Sequence, residues 1–202
     1  MVGTAQRLLN FEREGMASIG LWIRRRRHEV PPGATVGTYA KEQAFTMGLF
    51  MFAMAVEAIV VDLLLISAGV TPWLRYSVLA IDLYGLLTGL SMAASCVTRP
   101  HVVTDDELRV RYGVYFDLRV PRDQIAAVRT SRSLNESGMI TVKDGRVSVA
   151  VASQTNVTVE LTEPITVVRP LGARAEVTSI RFFAEDPNRI VTALRTDLPL
   201  PS

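Results

Sequence analysis

From Ala44 to Ala68 the chain reads AFTMGLFMFAMAVEAIVVDLLLISA, and Trp73 to Val97 is apolar over an equal length. About 20 apolar residues let a helix cross a ~30 Å hydrocarbon layer, so each stretch is long enough. Gly69, Val70, Thr71 and Pro72 join them, a connection of helix breakers that permits only an antiparallel return. Buried helices of a soluble α-protein would each carry a polar face, and neither stretch offers a wide one. The pattern predicts a transmembrane hairpin over residues 44–98.

After Arg99-Pro100 the period shortens to two. Leu108, Val110 and Tyr112 alternate with charged residues, Gly113 turns the chain, and Val114, Phe116, Leu118 and Val120 alternate again, which reads as a β-hairpin. Further strands are expected at 125–131, 139–143, 146–152, 157–162, 165–169 and 177–184, with Asp144-Gly145 as a tight turn. Asp186 and Pro187 supply an N-cap and a first-turn proline. Ile190, Val191, Leu194 and Leu198 then form one apolar stripe of a closing helix. The expected fold class is thus an α+β membrane protein. A cytoplasmic arm (1–43) and the hairpin precede a β-barrel or sandwich (99–202) closed by a C-terminal helix.

Lysine and arginine near the membrane ends set orientation. Arg24, Arg25, Arg26, Arg27 and Lys41 precede the first span and Arg99, Arg109 and Arg111 follow the second, against Arg75 alone at the connection. Both termini are expected in the cytoplasm of a bacterial cell, in a multi-pass protein of its inner (plasma) membrane. The apolar stretch Met16–Ile23 comes before the arginine run, the reverse of a signal peptide, so no cleavage is expected. Residues Ala5–Ile23 can form a helix with Leu8, Phe11, Ile19, Trp22 and Ile23 clustered. Either it lies on the membrane, with Arg24–Arg27 on anionic headgroups, or it packs on the β domain. Pro31, Pro32 and Gly33 read as a linker.

Three carboxylates fall inside the spans: Glu57, Asp62 and Asp82. An ionisable group at membrane depth is costly without a partner, which makes each a functional candidate. Asp82 shares a helical stripe with Gly85, Gly89, Ala93 and Cys96, and Gly85 and Gly89 form a GxxxG pair that permits close helix approach. Asp62 shares a stripe with Gly48, Ala55, Ala58 and Gly69. Packing of the two stripes would bring the two aspartates together and keep at least one protonated. Glu57 would face lipid or another subunit, implying a homo-oligomer or a partner membrane protein.

The second half resembles the bacterial pleckstrin-homology-like domains of small membrane proteins, including an actinobacterial two-transmembrane-helix type. The segments VTDDELRVRYG (103–113), PRDQIAAVR (121–129) and DPNRIVTALR (186–195) carry the likeness. It implies a PH-like fold and no enzyme activity. Arg109, Arg111 and Arg119 alternate with Asp105, Asp106, Glu107 and Asp117, which speaks against an inositide site on the first β-hairpin.

Composition narrows function mainly by exclusion. The 202 residues are 49% hydrophobic with a net charge of only +2, which gives no case for a nucleic-acid partner. Cys96 is the one cysteine, so no intrachain disulfide and no cysteine-based metal site can form. His28 and His101, the two histidines, read as solvated or interfacial, and no Walker loop or dinucleotide fingerprint is present. Asn156 begins a glycosylation triplet that the cytoplasmic assignment leaves unmodified. No catalytic residue, metal or cofactor is expected. The reading is a scaffold or adaptor that binds protein partners and membrane lipids; the alternative is a small accessory subunit of an ion-coupled transport or membrane complex.

Overall fold

The computed structural model describes residues 4–195. Helix α1 (Thr4–Ile23) leads through an irregular stretch to strand β1 (Thr35–Gly37) and then to α2 (Ala40–Ser67) and α3 (Pro72–Thr98). Eight strands follow: β2 (His101–Val103), β3 (Glu107–Tyr112), β4 (Phe116–Pro121), β5 (Ile125–Leu134), β6 (Ile140–Lys143), β7 (Arg146–Val149), β8 (Gln154–Val168) and β9 (Arg174–Phe182). Helix α4 (Pro187–Arg195) comes last; Leu198, assigned above to its apolar stripe, lies outside the described residues.

The α2–α3 hairpin is shaped by local chemistry. Gly69 takes a left-handed φ of 64° after α2, its N–H donating to Ile66 O and that of Val70 to Leu65 O. This closing motif satisfies carbonyls that a helix end leaves free, and it favours glycine at that position. Pro72, at the first turn of α3, costs nothing because no intrahelical acceptor awaits its missing N–H.

The strands form two sheets, neither closed: β1-β2-β3-β4, antiparallel throughout, and β5-β8-β9-β7-β6, antiparallel except for β7 and β9. Side chains from both sheets and from α4 share one core, in which Leu108, Val110, Val120, Ile180, Phe182, Ile190 and Leu194 are fully buried. Asp186 caps α4 by accepting the Arg189 N–H at 3.0 Å, and Arg122 donates to the carbonyls of Ala193 and Leu194 at its other end.

Two sequence expectations are corrected. The strands expected at 157–162 and 165–169 are one long β8, whose register against β9 shifts between Glu160 and Ile165. Pro164 falls in that irregularity, where its lack of an N–H interrupts no ladder. The arm over residues 1–43 is not a separate unit either, because β1 extends the first sheet and Tyr39 lies in the core.

Candidate functional site at the junction of hairpin and β domain

Helices α2 and α3 contain 28 and 27 residues, or about 40 Å each at ~1.5 Å per residue. Both are long and apolar enough to cross a membrane, with mean hydropathies of 2.5 and 1.5 in their most apolar windows. Only 6% and 11% of those windows is buried, so their side chains do not serve as the core of a soluble bundle. Burial in α3 is confined to the end nearer the β domain, at Ser91, Ala94, Ser95, Cys96 and Thr98.

The two helices meet through small residues of α3. A Cβ on Gly85 would lie 3.0 Å from Met54 Cε, and one on Gly89 3.6 Å from Met51 Cγ. Ala58 is buried at 6% exposure, while Ala55 and Ala93 are half-buried. The glycines therefore receive methionines rather than the small residues of α2. Nor do the aspartates share a site, for Asp62 is engaged elsewhere. It accepts two hydrogen bonds from Arg75, Nε to Oδ1 at 2.6 Å and Nη2 to Oδ2 at 2.9 Å. The expected protonated aspartate pair gives way to an ion pair, because a bidentate guanidinium satisfies the carboxylate directly. Asp82 is half-buried and Glu57 exposed; among the described residues neither has a hydrogen-bond or salt-bridge partner.

Helix α1 packs on the half of α3 nearer the β domain. A Cβ on Gly15 would come within 3.0 Å of Ser91 Oγ, and Ser18 is fully buried, its hydroxyl donating to Glu14 O. Tyr84 donates to Glu12 at 2.5 Å, Arg99 pairs with Glu14 at 3.0 Å, and Phe11 and Tyr115 place their rings 5.4 Å apart. Of the two expected placements, on the membrane surface or on the β domain, neither describes the main contact, which is with α3; Phe11 against Tyr115 touches the β domain. Leu8, Leu9, Trp22 and Ile23 nevertheless remain exposed.

Past α1 the chain is held by a charge clasp. Arg25 (φ 53°) ends the helix in the left-handed region, its N–H donating to Trp22 O and that of Arg26 to Leu21 O. Arg24–Arg27 are all exposed. Beyond them Arg111, 1% exposed, donates to the carbonyls of His28 (2.8 Å) and Glu29 (3.2 Å). Arg109 forms a bidentate pair with Asp117 and lies 2.7 Å from the Glu29 carboxylate. Arg109's hydrogen bond holds the Glu29 carboxyl below its ordinary range, and burial followed by Arg109's charge lowers the Arg111 guanidinium.

Tyr39 is the central link. Its hydroxyl donates to Arg99 O (3.1 Å) and accepts the Gly113 N–H (2.8 Å), while its ring stacks between His101 and Tyr112. His101 is not solvated but buried: its Nε2 lies 2.9 Å from Phe183 O and its Nδ1 accepts the Arg111 N–H. That pairing fixes a neutral tautomer with the proton on Nε2. Burial lowers its pKa to about 4. Asn156 is half-buried, its side-chain amide pairing with both backbone groups of Ala184.

Sequence reasoning passed over Arg75, Tyr39 and Glu29. For Arg75 the signal was present, since an arginine four residues into α3 sits level with a carboxylate six residues from the end of α2. For Tyr39 and Glu29 no local pattern marks a partner far along the chain. Among the described residues no group of three or more His, Cys, Asp or Glu side chains could hold a metal ion. Comparison with family models, curated proteins and solved structures finds no match to this chain.

Proposed function

We propose that this chain is a membrane-anchored, non-enzymatic adaptor that holds its β domain against the cytoplasmic face of a bacterial inner membrane. The observation that carries the reading is the distribution of burial along α3. From Pro72 to Leu90 no residue is fully buried, a run of about 28 Å at ~1.5 Å per residue, which matches a ~30 Å hydrocarbon layer. The last two turns then enter the β domain. Trp73 and Tyr76 stand exposed at one end of this band, and Lys41 with Arg24–Arg27 at the other, as expected for an outer aromatic belt and an inner basic side.

In this reading the β domain is PH-like, which is supported by two sheets sharing one core with a C-terminal helix. Its working surface is for protein partners. The exposed, unpartnered Glu57 in the apolar band favours a second copy or a partner membrane protein covering that side. The same residue, with Asp82, is what an accessory subunit of a transport complex would use.

Accessibility of single cysteines in intact cells tests the arrangement, using a variant whose Cys96 is replaced. Position 68 should react with an impermeant maleimide from outside, whereas positions 143 and 174 should react only after lysis. Labelling of 143 or 174 in intact cells would overturn the topology.

A further inference from the structure

A groove of about 650 Å³ lies where α1 ends beside the start of α2 and the end of α3. Its floor is apolar, formed by Trp22, Ile23 and Val97, which are 44%, 73% and 46% exposed. Four cations line it: Arg25, Arg26, Arg27 and Lys41. One carboxylate, Glu185, also faces it. That charge is already engaged, accepting hydrogen bonds from the Thr38 hydroxyl and the Lys41 N–H, both at 2.8 Å. The Lys41 ammonium stands 4.0 Å from Glu185 and is 90% exposed, which leaves it and the three arginines available to an outside anion.

We infer that this groove seats an anionic phospholipid, its phosphate among Arg25, Arg26, Arg27 and Lys41 and an acyl chain along Trp22, Ile23 and Val97. Depth and charge both lead there. Lys41 stands one turn before the apolar run of α2 that begins at Ala44, and Val97 lies about 10 Å past Leu90 at ~1.5 Å per residue, so the groove lies just beyond the apolar band, on the headgroup side. A water-soluble anion would gain nothing from the apolar floor, and a zwitterionic lipid would bring a cation into a ring of cations. Arg24 does not line the groove, so the site is narrower than the arginine run as a whole. The left-handed turn at Arg25 separates the run from α1 and directs it over the end of α3, beside Val97. This inference rests on the membrane reading above and adds to it a lipid class and a location.

The test is native mass spectrometry of the full chain in detergent, titrated with phosphatidylglycerol or phosphatidylcholine. The wild type should retain phosphatidylglycerol at least tenfold more tightly. The triple variant R26Q/R27Q/K41Q should lose that preference, since each cation removed costs roughly fivefold and three together about a hundredfold. A charge-matched control, R132Q/R174Q/R189Q, removes three exposed arginines of the β domain and should retain the preference. Trp22→Ser should weaken phosphatidylglycerol binding without restoring phosphatidylcholine. Equal retention of the two lipids, or equal loss in the two triples, overturns the groove as a site and leaves the membrane reading standing. A chain recovered after lysis without detergent would remove both.

Discussion

The His101 imidazole, 1% exposed, sits between the rings of Tyr39 and Phe182 with both nitrogens hydrogen-bonded to backbone. Its charge state is therefore tied to folding. An unfolded imidazole takes a proton below pH 6.5, while this one resists until about 4. The unfolded state thus binds more protons between those values, so stability is complete above 6.5 and declines as pH falls toward 4. The loss is on the order of 3 kcal/mol, since each pKa unit corresponds to ~1.4 kcal/mol. Thermal melting of the detergent-solubilised chain from pH 7.5 to 4 should show that decline, and His101→Gln should flatten it; an unchanged slope in the variant would assign the effect to another group. A histidine three residues past a predicted transmembrane hairpin reads as interfacial because nothing nearby in sequence shows that Tyr39 and Phe182 will cover it. Burial by distant segments is the part of a side chain's chemistry that local pattern carries least.

Elements were legible where periodicity is strong and turn chemistry explicit. The apolar runs, Gly69 with Pro72, Asp144-Gly145 and Asp186-Pro187 each state a boundary that one or two residues enforce. The division of β8 into two strands failed because Pro164 looks like a stop, and only the register shift against β9 lets the strand pass it. The GxxxG pair marked the contact face of α3 but not what fills it, since flexible methionines suit a glycine groove as well as small residues do. This difference makes glycines on α3 and at its junction respond unequally. Gly85→Ala should be tolerated, because the atom in its way is the mobile end of Met54. Gly113→Ala should not be, because its φ is 51° and the new Cβ would lie 2.5 Å from Ser95 Oγ. The left-handed conformation alone costs an alanine about 1–2 kcal/mol. Parallel melting curves decide the matter, and equal midpoints for the two variants would count against this packing of β3 on α3.

At the scale of the whole molecule, what matters for the proposed adaptor is whether the β domain is tethered to the hairpin or fixed on it. Only Arg99 and Pro100 separate α3 from β2, and both are buried. The second connection, from α1 to α2, is fastened along its length by the His28 N–H to Thr98 O, by the two carbonyls that Arg111 holds, and by β1 in the sheet. Tyr39 joins these restraints, because one hydroxyl bonds both the carbonyl of Arg99, at the end of α3, and the N–H of Gly113, in the turn between β3 and β4. Removing that oxygen strands a buried donor and a buried acceptor, each worth about 1–3 kcal/mol when left without a partner. A fixed domain predicts one narrow distance between spin labels at 68, in the hairpin connection, and 143, at the β6–β7 turn. In Tyr39→Phe the distribution should broaden while secondary structure, read by far-ultraviolet circular dichroism, is retained. A distribution already broad in the wild type would mean that the hairpin only anchors the β domain, and any partner would then be found by diffusion of a tethered module rather than on a surface held at set height and orientation above the bilayer.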